Sequence, residues 1–270
     1  MKFCVTSNSS LMTRKIADEV KYTIHRLNDA IEFATAYSDK RVIVTINSLA
    51  EDKVPAIDKL FNIHKEIPNL YYEFKILQDL IKYSKAYQEQ IREDRHIMFA
   101  QPVISWAMVM ILRYYMVSDI LIAEPLTFNM PDVMNGIKKE GIAVRVNPTL
   151  SKHVLATENT DDSCMNHFWV PPEYVHLYEE YVDTMELCQD ANEPNREETL
   201  LRLYAVDKSY KSELRFLIKN FDIHMRTAYL DTTFFTRRIN CGQRCLISKN
   251  NCHFCSALPR LYTKIKEGES

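Results

Sequence analysis

Two patterns of apolar spacing alternate through the first 150 residues. KFCVT (2–6) is a short β-type run. From Leu11 to about Tyr37 the apolar positions Ile16, Val20, Ile24, Leu27, Ile31 and Ala34 recur at three- and four-residue steps, which predicts a helix. RVIVTI (41–46) is β-branched and short enough for a strand buried on both faces. A helix follows from about Glu51, with Pro55 in its first turn, where a missing N–H costs little. LYYEFKIL (70–77), HIMFAQ (96–101), DILIAEP (119–125) and IAVRVNP (142–148) predict further strands. Helical patterns at 78–93, 103–116 and 129–140 separate them, and Gly141 suits the left-handed residue that ends the last.

Strands and helices alternating at this pace imply a parallel sheet with right-handed crossovers. Six such strands suit an incomplete (β/α) barrel or an open doubly wound sheet. The pattern then breaks at a polar linker, 151–164. A short strand and a Pro-started helix are expected over 168–188, and largely helical structure over 197–219. The chain therefore divides into a core at 1–150, a mostly helical extension at 151–235 and a Cys-rich tail at 236–270 that packs back on the core.

Composition narrows the setting. Hydrophobic residues make up 46% of the chain and charged residues 26%, as in folded globular proteins. A formal charge of −2 gives no global field to attract a polyanion. The most apolar stretch, VISWAMVMIL (103–112), is about half the length of a membrane span. MKFCVTSNSSLM lacks a secretory h-region, so a cytoplasmic protein with reduced cysteines is expected.

Polar residues stand at the strand ends: Asn47, Gln101, Glu124, Arg145 and Asn147. Parallel α/β folds build their sites at the carboxyl edge. Asn47, Gln101, Glu124 and Arg145 are therefore the candidates for orienting a substrate.

The most concentrated chemistry lies in CGQRCLISKNNCHFC (241–255), which holds four of the seven cysteines. Cys241, Cys245, Cys252 and Cys255 are soft thiolate donors on one loop and suit zinc or an iron–sulfur cluster. A zinc ribbon separates its two Cys pairs by roughly 15–20 residues, far more than the gap here, and compact multi-Cys loops are a habit of cluster proteins. Gly242, between two of the thiols, points to torsions that only glycine tolerates. From Thr232 to Lys266 there is no acidic residue, against Arg237, Arg238, Arg244, Lys249, Arg260, Lys264 and Lys266. Such a run balances thiolate charge, or contacts RNA or an anionic small molecule. No G-x-S-x-G, H-E-x-x-H or phosphate-cradling glycine loop is present.

GQRCLISKNNCHFCSALPRLY (242–262) resembles the cysteine signature of the peptidase U32 family. AIEFATAYSDKRVIVTIN, QPVISW, DILIAEPL and AVRVNP fall, in order, where that family's helix and strand ends fall, although AVRVNP lacks its His-Gly pair. The resemblance implies a diverged member on an incomplete or distorted (β/α) TIM-like barrel. It also implies a [4Fe–4S] cluster on Cys245, Cys252 and Cys255, with Cys164 or Cys241 as a further ligand. The implied chemistry is redox or hydroxylation of an RNA base or a small aromatic or quinone substrate, not proteolysis. A zinc-binding structural or nucleic-acid-binding protein is the alternative reading.

Overall fold

Eight parallel strands close into a barrel in the order β1 to β8. The structure is a computed structural model that describes residues 1–22, 27–46, 54–103, 106–122, 131–146 and 182–187, with 179, 197–198, 201 and 204–205. The strands are β1 Lys2–Thr6, β2 Glu19–Tyr22, β3 Arg41–Ile46, β4 Leu70–Phe74, β5 Ile97–Val103, β6 Asp119–Ile122, β7 Ala143–Val146 and β8 Thr184–Glu186. The helices are α1 Leu11–Ile16, α2 Leu27–Ala36, α3 Val54–Glu66, α4 Leu77–Glu93, α5 Trp106–Tyr114 and α6 Pro131–Lys139. No helix among the described residues is long and apolar enough to cross a membrane.

The chain forms two compact units. One comprises Met1–Ile122, Asp132–Asn147 and Tyr181–Leu201, and holds all eight strands; the other comprises Ala123–Pro131, Pro148–Glu180 and Arg202–Ser270.

The parallel (β/α) barrel expected from the alternation is present, and two further strands close it. The first corrects the long helix expected from Leu11 to Tyr37. Ser10 caps α1 by accepting from the Thr13 N–H at 3.2 Å. Ala17 then turns extended, with φ −66° and ψ 148°, and ends the helix. Ile16, which fitted the helical stripe, is 45% exposed. Glu19 to Tyr22 instead pair with β1 and β3, and these ladders supply the hydrogen bonds a helix would have supplied.

The second strand, β8, corrects the helical expectation for that part of 168–188 and brings 181–201 into the barrel unit. Its three residues bridge β7 and β1. The Lys2 N–H donates to Asp183 at 2.7 Å, and the Leu187 N–H to Cys4 at 2.8 Å.

The strands are buried on both faces, and the two faces differ in chemistry. Outward positions are apolar: Val42, Val44, Leu70, Tyr72, Phe74, Ile120, Val144 and Val146 are all 0% exposed. Inward positions are mixed. The registers bring Cys4, Ile43, Met98 and Arg145 to one level from the odd strands, and the first three pack as an apolar cluster. Even strands contribute Glu19, Tyr71, Asp119 and Thr184 on the amino side of that level, and Lys21, Glu73, Leu121 and Glu186 on the carboxyl side. This is the layering of a (β/α) barrel, with ions in places that branched apolar residues normally take.

Candidate active site at the barrel mouth

The layer nearest the carboxyl ends holds Lys21 of β2, Glu73 of β4 and Glu186 of β8, with Thr45 of β3 beside them. The Lys21 ammonium lies 2.8 Å from the Glu73 carboxylate and 3.8 Å from that of Glu186. The Thr45 hydroxyl donates to Glu73 Oε2 at 2.8 Å. The Lys21 side chain is 20% exposed, whereas Glu73 and Glu186 are 3% and 5% exposed. The Lys21 side chain is thus the more exposed member of a cluster with two buried carboxylates.

Beneath it lies Arg145 of β7, which is 1% exposed. Its Nε donates to Glu186 at 2.8 Å, and its Nη1 to Glu19 at 2.5 Å and to Asp119 at 3.3 Å. Burial alone would push the Glu186 carboxyl pKa up; Lys21 and Arg145 outweigh it and hold the group below its ordinary value. Burial likewise opposes the charge on Arg145, and Glu186, Glu19 and Asp119 hold its pKa well above the usual arginine value. At the amino end Arg41 of β3 pairs with Asp119 and Glu19 and lies over the Tyr71 ring, 4.1 Å from its centroid. Ion pairs therefore run from the exposed Lys21, through Glu186, Arg145, Glu19 and Asp119, to the 21% exposed Arg41. Arg145 Nη2 and Asp119 Oδ1 are buried without a hydrogen-bond partner among the described residues.

A second polar cluster tethers the carboxyl end of β1. Glu197 accepts from the Thr6 N–H at 2.8 Å, from the Thr6 hydroxyl at 3.1 Å and from the Ser9 hydroxyl. Glu198 accepts from Ser10 at 2.8 Å and Thr13 at 3.3 Å at the start of α1.

Of the described residues expected from strand ends, Gln101 and Arg145, Arg145 is the one built into this constellation. It is buried and donates to Glu186 of the mouth layer. Gln101 lies on β5 and is exposed. Asn47, Glu124, Asn147, Cys164, Cys241, Cys245, Cys252 and Cys255 lie outside the described residues. The described cysteine, Cys4, is buried in the barrel core. Lys21, Glu73 and Glu186 escaped the sequence reading. Their signal was charge inside short strands, alternating in EVKY and single in LYYEF and TME, which in a two-sided buried strand marks an ionic interior.

At the amino pole, between α3, α4 and β5, His64, Asp94 and His96 gather metal-type donor atoms within 4.8 Å of one another. Their donor atoms are already engaged in hydrogen bonds. His64 Nδ1 lies 2.7 Å from the Leu70 carbonyl and its Nε2 2.7 Å from Asp94. His96 donates from Nδ1 to the Asp94 carbonyl at 2.8 Å and accepts at Nε2 from the Tyr83 hydroxyl at 2.8 Å. The rings stack 3.6 Å apart at 15°, which aims in-plane lone pairs side by side and not at a common point. Burial, followed by the neighbouring His64, pushes the His96 pKa down to about 4.

No family model matches the chain, and no curated protein does. Among solved structures it is similar to a glycerophosphodiester phosphodiesterase from Parabacteroides distasonis, at 11% identity and a TM-score of 0.45, covering 74% of this chain and 96% of that one. It is also similar to the holo form of an aldo-keto reductase from Bacillus halodurans, at 10% identity and a TM-score of 0.46, covering 72% of this chain and 78% of that one. Both likenesses are slight. The assignment of a closed parallel (β/α) barrel stands on the strand ladders of the chain itself.

Proposed function

We propose that the chain is an iron–sulfur protein of the U32 type, carrying out redox or hydroxylation chemistry on a small aromatic or quinone molecule or an RNA base. One observation carries the reading: four thiols fall within residues 241–255, in a segment that resembles the U32 tail. The donor set fits the group, because thiolates are the ligands that hold [4Fe–4S] clusters. Cys245, Cys252 and Cys255 would hold it, with Cys241 or Cys164 as the fourth ligand, and a bound cluster supplies one-electron transfer. The barrel supports the reading as a scaffold whose carboxyl end presents an ionic mouth, where substrates of this fold class bind.

The acid-free run from Thr232 to Lys266 favours a second reading. There, zinc on the same cysteines stiffens a basic tail for nucleic acid.

Anaerobic purification with iron, sulfide and zinc analysis separates the two. A brown protein with four irons per chain, losing them when Cys245, Cys252 or Cys255 becomes Ser, supports the first reading. A colourless, iron-free protein overturns it. Stoichiometric zinc together with salt-sensitive RNA binding supports the second.

A further inference from the structure

We propose that Lys21 and Glu73 form an acid–base pair at the barrel mouth that acts on a small, uncharged carbonyl compound bearing a C–H beside the carbonyl. Three observations lead there. Both groups belong to the inward layer nearest the carboxyl ends of the strands, where this fold places its chemistry. They are complementary, a proton donor and a proton acceptor 2.8 Å apart, with the donor 20% exposed and the acceptor 3% exposed. The surroundings also fix their roles: Thr45 holds one oxygen of Glu73, while Arg145 keeps Glu186 an anion facing Lys21.

Charge selects the ligand class. Lys21 is matched by Glu73, and Arg145 by Glu186, so a phosphate would have to displace a carboxylate to gain a cation. Among the described residues the interior sets Lys21, Arg41 and Arg145 against Glu19, Glu73, Asp119 and Glu186, one carboxylate in excess. Glycoside cleavage needs one of two carboxyls protonated. Here Lys21 faces both carboxylates, and with Arg145 it holds Glu186 below its ordinary carboxyl value. A neutral carbonyl asks for what the pair offers, a hydrogen-bond donor at oxygen and a base at the neighbouring carbon.

The step balances within the pair. The Glu73 carboxylate takes the proton from the carbon, and the C–H electron pair becomes the C=C bond. The carbonyl π pair moves onto oxygen, which takes a proton from Lys21. The products are an enol, a neutral amine and a carboxylic acid. The acid returns its proton to the amine across their 2.8 Å contact, which resets the site without oxidant or reductant.

Deuterium exchange into hydroxyacetone, followed by proton NMR with the full chain in D2O, tests this. The native chain is expected to exchange the hydrogens beside the carbonyl faster than buffer does, and Glu73→Gln to lose roughly 100-fold of that rate. Lys21→Arg keeps the ion pair but replaces the donor with a guanidinium that does not release its proton, so it loses a similar factor. It serves as the decisive variant should Glu73→Gln fail to fold. No exchange by the native chain, or exchange unchanged in folded Lys21→Arg, overturns the proposal. The assay contains no electron donor or acceptor, so its outcome is separate from that of the iron measurement.

Discussion

Arg145 on β7 and Glu19 on β2 meet inside the barrel, Nη1 2.5 Å from Oε2, with both side chains 1% exposed. They lie 126 residues apart in the chain. The same guanidinium also reaches Glu186 and Asp119, so one side chain holds three buried carboxylates. Buried ion pairs add little net stability, but removing one partner strands the others.

Arg145→Met is therefore expected to destabilise the barrel by about 3–5 kcal/mol, because Glu19, Asp119 and Glu186 lose a shared cation. Urea unfolding followed by circular dichroism checks it. A loss below about 1 kcal/mol would mean that the network contributes no more than surface ion pairs do.

Acid is expected to weaken the fold in two windows. His96 titrates near 4 in the folded chain against an ordinary 6.5, so the unfolded chain binds the extra proton first. Stability is present in full above about pH 6.5 and falls between there and pH 4, by about 3 kcal/mol for a shift of this size. Among the described residues the titratable groups facing His96 are His64, Asp94, Tyr72 and Tyr83, and a proton on its Nε2 removes the site that accepts from Tyr83. Glu186 is shifted in the same direction, below the ordinary carboxyl value of 4.5, so its contribution is lost only as pH falls below that value. Unfolding free energies of the native chain and His96→Gln at pH 7 and pH 5 separate the two. The variant should lose most of the difference between those pH values.

Glu197 closes over the start of the β1–α1 segment by accepting from the Thr6 backbone and from two hydroxyls. Glu197→Ala leaves a buried N–H without this acceptor and is expected to cost about 1–3 kcal/mol. Glu197→Gln keeps an acceptor oxygen and should cost less. Thermal unfolding ranks the pair, and equal melting points would contradict the tether.

Gly141 follows α6 with φ +68°. An added Cβ there meets nothing within 4 Å, so the cost of Gly141→Ala is that of backbone torsion alone, about 1–2 kcal/mol. Asn, which tolerates the left-handed region better, should recover part of it. Denaturant midpoints of the two variants check the order.

Much of the scaffold was legible because it is written in local spacing. RVIVTI and Leu70–Phe74 form strands where their β-branched and aromatic residues predicted them. Helix α4 spans Leu77–Glu93 against an expected 78–93. Gly141 adopts the left-handed torsion its position suggested. The departures share one cause. Val20 fitted a helical stripe and a strand face equally well, and only pairing with β1 and β3 chose between them. β8 has three residues, fewer than any periodicity can reveal, and exists because β7 and β1 present open edges to it.

The candidate site divides along the same line. By itself the sequence determined the alternation of strand and helix, the clustering of thiols at 241–255 and the polar residues that end the strands, because each depends on neighbours a few positions away. Only the tertiary structure decided that the ring closes, that Arg145 turns inward and that Lys21 and Glu73 meet at its mouth. The physical reason is that a charge is stable inside a barrel only beside its counter-charge. Those partners, 52 residues apart for Lys21 and Glu73, are brought together by closure and by nothing in the local sequence.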